Sequence, residues 1–441
     1  MNRPTIVTIV GGLFFPRVAE LGLAVEDTVS PRVLAKMIHA GTMTESHVAA
    51  SRALLYLANL SISSERVRRA CQRIAEERAE HHQRMQQAFE KKSLPEQTEG
   101  KPEGVEVPEI ACIMGDGGRL QLLDRSLPNT EPCSAEKGDH WKESRIAAIM
   151  GMSGQEYDCD PQPTLPPELC YNTIAETLSE IGHTGKTGDL PQETQENGGD
   201  YSDIARCGEG IVGPELEHRS VVASRKNWEE FGRLLVCLAW YKGFAAAKRK
   251  VFVSDGSAAI EKMQRTHFSH YTSVLDLLHG LAYSLAAARA MTQTETAARD
   301  LYNAWAAKIW EGKISEVIDE LRAWSVKLGP PPEKARSDDP RLVVRTSLVF
   351  YENHACRMDY PNYRRAGFSL TSSLMESTVK QVNRRVKGSE KFWSSSGGEA
   401  MLRLRGEAIS DDHPLRKHLE SRTRHATGQR SYRSRNNLLS I

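Results

Sequence analysis

Three acidic residues stand in sequence contexts that suit metal-dependent chemistry. Asp116 and Asp255 each follow an apolar run that predicts a strand, each begins an Asp-Gly pair, and Glu376 lies on a predicted late helix. Two strands that end in this way would place both carboxylates at the same edge of a mixed sheet, where a packed helix adds the third. Such oxygen ligands suit Mg²⁺, and two ions about 4 Å apart stabilise both oxygens of a phosphoryl displacement. The alternative is simple turn chemistry, since Asp and Gly are common turn residues.

Further motifs surround these three residues. Asp116 opens an Asp-Gly-Gly-Arg sequence, Asp255 opens Asp-Gly-Ser, and Asp-Leu-Leu-His occupies 276–279. Glu376 follows a small-residue turn and precedes a basic Arg-Arg-Val-Lys-Gly segment, Trp393 and a Gly-Gly-Glu-Ala sequence. With these motifs the chain resembles DDE-class insertion-sequence transposases, in particular the Kra-type and Lre-type groups, over roughly residues 44 to 415.

The resemblance implies a ribonuclease-H-like core that cuts and joins DNA with Mg²⁺ or Mn²⁺. By position, it implies that Asp116, Asp255 and Glu376 are both the catalytic and the metal-binding residues. It also implies that the helices between Asp276 and about residue 340 form an all-helical insertion. The chain departs from some relatives in having Thr-Ser-Ser at 371–373 where they carry a Gly-Ser-Gly-like turn, and in lacking an N-terminal cysteine-pair zinc module.

Asp276 and His279 are candidate supporting residues of this active site. They lie between a predicted strand and the helix that follows it, where they would order each other or the DNA near the scissile phosphate. The alternative for His279 is an ordinary cap or core histidine.

Candidate DNA-binding residues lie in two places. On the helix of Glu376, the side chains of Lys380, Asn383 and Lys387 lie on the same face as Glu376, and Arg384 lies beside them. These residues would contact phosphates of the DNA. The alternative is a basic helix that faces only solvent. Trp393 would stack on an unpaired base or be buried in the core. Near the N-terminus, two predicted helices joined by a Ser-rich turn resemble a helix-turn-helix DNA-binding motif. The alternative is a solvent-exposed helical hairpin. The basic residues of the second helix are Arg66, Arg69 and Arg73.

The pattern predicts an α/β protein with a ribonuclease-H-like mixed sheet, a helical insertion and an N-terminal helical domain. Predicted strands span 107–114, 120–123, 141–149, 250–255 and 271–276, with a Gly-rich turn between the first two. The predicted organisation is a helical DNA-binding region at 1–92, a linker at 93–106, core at 107–276 with a long, partly disordered insertion at 151–222, helical insertion at 277–340, the Glu376 helix and end of the core at 341–415, and a basic disordered tail at 416–441.

Composition limits the protein class without naming a function. The chain has 441 residues and a net charge of +1, which excludes a wholly basic histone-like protein. No apolar run of about 18 residues occurs, so no membrane partner is expected. The eight cysteines form no Cys-x-x-Cys pair, which favours reduced thiols and a cytoplasmic, nucleoid-associated location over a disulfide framework.

The leading hypothesis is a DNA transposase that acts on terminal inverted repeats and target DNA as a homodimer or larger assembly. One alternative is a ribonuclease-H-like nuclease that cleaves without strand transfer. The other is a catalytically inactive, transposase-derived protein that binds DNA as a regulator.

Overall fold

The fold is taken from a computed structural model that describes residues 7–9, 12–14, 29–123, 140–184, 210–388 and 390–427. The strands are β1 (Val7–Ile9), β2 (Gly12–Phe14), β3 (Ile110–Leu122), β4 (Trp141–Ser153), β5 (Glu215–Ser224), β6 (Arg249–Ser254), β7 (Thr272–Leu275) and β8 (Phe392–Trp393). The helices of the N-terminal half are α1 (Pro31–Met43), α2 (His47–Ala58), α3 (Ser64–Glu90), α4 (Leu94–Glu99), α5 (Tyr171–Thr184) and α6 (Trp228–Trp240). The later helices are α7 (Ala258–His267), α8 (Leu277–Met291), α9 (Glu295–Trp310), α10 (Ile314–Leu328), α11 (Pro340–His354), α12 (Tyr360–Arg365), α13 (Ser373–Val386), α14 (Ser395–Ala408) and α15 (Pro414–Thr427).

The main sheet is mixed and has the strand order β5-β4-β3-β6-β7, with β8 beside the far end of β3. The strands β3, β4 and β5 form an antiparallel meander, and β6 and β7 run parallel to β3. Parallel neighbours need a crossover, and the helices α6 and α7 lie in the segments before β6 and β7. The predicted α/β class with a mixed sheet is therefore confirmed.

The prediction of two strands separated by a Gly-rich turn at 115–118 was wrong. The chain runs through these residues as one strand, paired with β4 without interruption from Ile110↔Met152 to Gln121↔Trp141. The long partner strand keeps the glycines extended, and neither Gly117 nor Gly118 has a positive φ. Gly118 instead makes room for packing, because a Cβ there would lie 2.7 Å from Oγ of Ser144.

The sheet is covered on both faces. On one face Met114 and Val253 belong to a core that includes residues of α8, α13 and α14. On the other face Ile113 and Phe252 pack with α6 and α7. Strands buried on both faces read as continuous apolar runs, which is why β3, β4 and β6 were recognisable in the sequence.

The region predicted to be helical over 1–92 contains the short strands β1 and β2 near its start, and it is helical from residue 31, where it packs onto the core. Ser30, Ser46 and Ser63 cap α1, α2 and α3 by accepting backbone N–H bonds in the first turn. Helix α3 packs on α14 and α6, and α1 also contacts α14. The predicted linker at 93–106 contains α4, where the carbonyl of Glu96 accepts a 2.7 Å bond from the Trp240 indole.

The expected insertion at 151–222 was wrong in its limits. Residues 151–153 complete β4, and most of β5 lies within the predicted insertion. The first half of β5 is charged and exposed, so no apolar run marks it, and burial begins only at Ser220. Helix α5 also lies within this segment, and residues 185–209 lie outside the described part of the chain.

The segment predicted to be helical at 277–340 contains α8, α9 and α10. Trp305 and Trp310 are fully buried there, and Trp324 is partly buried against the same core. The prediction of a disordered tail from residue 416 was wrong for its first part, because α15 continues to residue 427 with Leu415 buried. The rest of the tail lies outside the described residues. In the part of the chain that the structure describes, no helix is long and apolar enough to cross a membrane.

Candidate active site

The carboxylates of Asp116 and Asp255 lie in the same register on neighbouring strands. The strands β3 and β6 pair with a constant offset of 139 residues (249 − 110 and 253 − 114), and Asp116 and Asp255 are separated by the same number. Asp255 directly follows the last residue of β6, whereas Asp116 lies inside β3 and does not end it, contrary to prediction. Neighbouring strands are about 4.8 Å apart, so both residues occupy one edge of the parallel pair.

The two carboxylates also share a face of the sheet. Side chains alternate along a strand, and the even-numbered Met114 and Leu120 of β3 belong to the core that contains α13. Asp116 is in phase with them, and Asp255 is in phase with Val251 and Val253 of β6, which face the same core.

Asp276 extends this row to a third strand. The strands β6 and β7 pair with an offset of 21 (275 − 254), which also separates Asp255 from Asp276. Asp276 is fully buried, and it accepts bonds from the N–H of Leu278 (2.7 Å), the N–H of Ser372 (2.9 Å) and the Ser372 hydroxyl. Burial would raise the pKa of Asp276, but the nearby charge of His279 and the bonds from Ser372 outweigh it and hold this pKa below its usual range. Asp276 thus ties the start of α8 to the turn before Glu376.

Glu376 enters from the first turn of α13. Its N–H bonds the carbonyl of Ser372 at 3.0 Å, so the turn fixed by Asp276 also fixes the start of this helix. The neighbouring Met375 and Val382 are buried in the core, and this directs α13 across the face that bears Asp116. Glu376 itself is half-buried.

The charges of the three predicted catalytic residues act on one another. Burial and the carboxylate of Asp255 raise the pKa of Asp116 to about 7, and Glu376 adds to the rise. The N–H of Gly117, 2.6 Å from Oδ1 of Asp116, and the charge of His279 oppose it. Carboxylates that disfavour each other's ionisation in this way form a site where a cation would be stabilised.

The charge of His279 acts on this group of carboxylates. Its Nδ1 lies 3.4 Å from Oδ2 of Asp276, at ion-pair distance but without a well-directed hydrogen bond. Burial would lower the pKa of His279, but Asp276 and the charges of Asp255 and Glu376 raise it to about 9. The side chain is 21% exposed, so water screens part of this effect.

The donor set fits a hard divalent cation. Asp116, Asp255 and Glu376 offer only carboxylate oxygens, which Mg²⁺ and Mn²⁺ prefer. Within the described residues, no three His, Cys, Asp or Glu side chains converge closely enough to enclose a metal ion by themselves. Mg²⁺ commonly binds through one or two carboxylates and keeps several waters, so an open arrangement of carboxylates suits it.

The predicted DNA-binding residues of α13 are not equivalent. Arg384 and Lys387 are exposed, with Nζ of Lys387 5.9 Å from the centre of the Trp141 ring, and Lys380 is half-buried. Asn383 packs towards the sheet, where its Oδ1 is buried 3.6 Å from the Cβ position that Gly118 lacks. Arg384 and Lys387 are therefore better placed to meet a phosphate than Asn383.

Trp393 occupies a packed position. Its indole N–H donates to the carbonyl of Val386 (2.9 Å), Arg385 lies over its ring at 5.0 Å, and His47 contacts it edge-on at 6.2 Å. Of the two interpretations of Trp393, this geometry favours packing over base stacking.

The basic residues predicted on α3 lie in its N-terminal half. Arg66 and Arg69 are exposed and Arg73 is half-buried; Arg69 bonds Glu65 at 2.8 Å. This end of α3 is linked to α13 through α1, because Arg385 of α13 donates to the carbonyl of Gly41 at 2.9 Å, and a Cβ on Gly41 would lie 2.5 Å from Sγ of Cys71 on α3. The helices that carry the two groups of predicted DNA-binding residues are thus both packed against α1.

Sequence reasoning missed several residues that hold this site. Arg357 is buried and donates to Oγ of Ser254 (2.7 Å), the residue before Asp255. Arg385 donates to the carbonyl of Gly41 (2.9 Å) and Arg405 to that of Thr42 (3.1 Å), at the C-terminal end of α1. Buried arginines that bond backbone carbonyls leave no spacing pattern in a sequence, so these contacts could not be predicted even for Arg385, which lies in the basic segment after Glu376.

Comparison with protein-family models and with curated proteins gives no match.

Proposed function

We propose that this protein is a DNA transposase that cuts and joins DNA by metal-dependent phosphoryl transfer at Asp116, Asp255 and Glu376. The observation that carries the proposal is the shared register of Asp116 and Asp255 on parallel strands, on the face crossed by the Glu376 helix. The raised pKa of Asp116 agrees with a site built to bind a cation. The motifs around these residues supply the resemblance to DDE-class transposases.

The architecture supports a ribonuclease-H-like core. A mixed sheet with β3 at its centre presents two carboxylates at one edge, and helices cover both faces. The helical segment α8–α10 lies between Asp276 and the Glu376 helix, where the resemblance implies an insertion.

The chain's own residues would position the reacting groups. Divalent ions bound here would neutralise the phosphate and activate the attacking oxygen. Asp116 and Asp255 would hold them from the sheet, and Glu376 from α13. Asp276 and Ser372 fix the start of α13, and His279 offsets the negative charge of the carboxylates.

Double-stranded DNA would approach along the side that joins α13 to α3. Arg384 and Lys387 are exposed beyond Glu376, and Arg66 and Arg69 are exposed on α3. Cations in this arrangement fit contacts to phosphates. Cutting two element ends together requires a homodimer or larger assembly.

The test is strand transfer with a labelled duplex that carries the inverted repeats flanking the gene and ends in a free 3′-hydroxyl. With Mn²⁺ and a target plasmid, the proposal predicts joined products that disappear in Asp255→Asn. Cleavage without joining would instead indicate the nuclease. Binding of the repeats without either reaction would indicate an inactive DNA-binding protein.

A further inference from the structure

A cleft of about 910 Å³ lies between α3, β5, α6 and α15. It borders β5, the edge strand that β4 separates from β3, so it is distinct from the carboxylate site. Its size is that of a cavity for a small molecule.

One wall of the cleft is apolar. Val222 of β5, Leu234 and Leu238 of α6 and Met85 of α3 contribute to it. A flat ring of a ligand could pack against this wall, because the wall offers apolar side chains that need no hydrogen bonds.

Cations line the rest of the cleft. Four of the six Lys and Arg residues there are matched by carboxylates: Arg78 by Glu407, Lys242 by Asp412, Arg403 by Glu399 and Arg422 by Glu77. The other two, Arg84 on α3 and Lys417 on α15, are exposed, and among the described residues neither has an ion-pair partner. Arg84 and Lys417 thus add positive charge to the cleft from α3 and α15, and the charge of Lys417 helps to lower the pKa of Asp412.

A buried histidine adds a hydrogen-bonding group. His82 is 9% exposed, and its Nε2 lies 3.3 Å from Oε1 of Glu407. Its Nδ1 is buried and, within the described part of the chain, has no hydrogen-bond partner. An unsatisfied buried polar atom is costly unless a ligand or water completes it.

We propose that this cleft binds a nucleotide, either free or at the end of a nucleic-acid strand. Arg84 and Lys417 would bind its phosphates, the apolar wall would receive the base, and Nδ1 of His82 would bond a polar group of the sugar or base. This site is independent of the proposed transposase reaction.

The test is calorimetric titration of the full chain with ADP in EDTA, so that no metal at the carboxylate site contributes. We expect saturable binding that weakens at least tenfold in Arg84→Glu/Lys417→Glu. Both residues are exposed, so the double variant should fold. The matched control is Arg336→Glu/Arg345→Glu, two exposed arginines of other segments, which should bind ADP as the wild type does.

Competition then identifies the source of the nucleotide. A 5′-phosphorylated oligonucleotide that displaces ADP more strongly than AMP does would assign the cleft to a strand end, and the reverse order would assign it to a free nucleotide. Absence of saturable ADP binding up to 1 mM (roughly −4 kcal/mol), or binding unaffected by Arg84→Glu/Lys417→Glu, would overturn the proposal.

Discussion

At the scale of single residues, the carboxylates of Asp116, Asp255 and Glu376 lie close enough for their negative charges to act on one another. Asp116 is the clearest case, because burial and Asp255 raise its pKa from 3.8 to about 7. The ionised form is thus disfavoured in the folded protein, and the free energy of unfolding falls as pH rises from about 4 through about 7.

Asp116→Asn should therefore stabilise the metal-free protein while removing its activity. At pH 8 in EDTA we expect a higher free energy of unfolding, by at most about 4 kcal/mol and less where water screens the carboxylate. Below pH 4 the gain should vanish. Thermal unfolding at both pH values measures this, with Asp338→Asn on the exposed surface as the control. A variant less stable than the wild type at pH 8 would contradict the account.

His279 should give the opposite kind of contribution. Its pKa is raised from 6.5 to about 9, so its charged form stabilises the fold fully below pH 6.5, and this contribution is lost as pH rises through 9. His279→Gln should cost about 1–3 kcal/mol at pH 6 and much less at pH 9.5. Denaturant unfolding at the two pH values checks this, and a cost independent of pH would assign His279 to packing alone.

At the scale of secondary structure, the contact between β3 and α13 positions Glu376. Gly118 lies under Asn383 of that helix, and a Cβ there would meet Oγ of Ser144 at 2.7 Å and Cδ1 of Ile146 at 3.2 Å. A Cβ at the neighbouring Gly117 would meet nothing within 4 Å.

Gly118→Val should lower the free energy of unfolding by about 1–3 kcal/mol, because the added side chain overpacks this contact. Gly117→Val is the matched control and should be neutral or slightly stabilising, since the residue is extended and exposed. Equal losses in both variants would favour the turn that the sequence suggested here and contradict a continuous strand.

The elements differ in how far the sequence predicts them. Helices such as α3 and α8 and buried strands such as β6 were recognisable from apolar periodicity and runs. The strand β3 was divided in two because glycines usually mark turns, and only the long partner β4 decides otherwise. The strand β5 was missed because its first half is polar. Asp116 and Asp255 were identified from local motifs. Their common register depends on the pairing of β3 with β6, two strands that lie far apart in the chain.

At the scale of the whole molecule, two buried arginines hold the N-terminal helices against α13 and α14. Arg385 and Arg405 donate to the last carbonyls of α1, where the helix dipole favours cations. These bonds join the N-terminal helices to the helices that cover the sheet.

Arg384→Ala/Lys387→Ala should weaken binding to DNA of any sequence. In a plot of the logarithm of the binding constant against the logarithm of the salt concentration, each phosphate contact contributes about 0.9 to the steepness of the slope. Losing two contacts should therefore reduce the steepness by up to about 2. Fluorescence anisotropy over a salt series measures it, with Arg299→Ala/Arg336→Ala as the control. An unchanged slope would show that DNA does not contact this end of α13.

The most direct test of the central claim is nicking of a labelled duplex carrying the flanking repeats, in Mn²⁺, by the wild type, Glu376→Gln and Glu390→Gln. Glu390 is a nearby exposed glutamate outside the proposed ligand set, which makes it the matched control. We expect metal-dependent nicking by the wild type and Glu390→Gln, and at least a hundredfold loss in Glu376→Gln. Nicking that survives in Glu376→Gln, or that is lost only in Glu390→Gln, would contradict it.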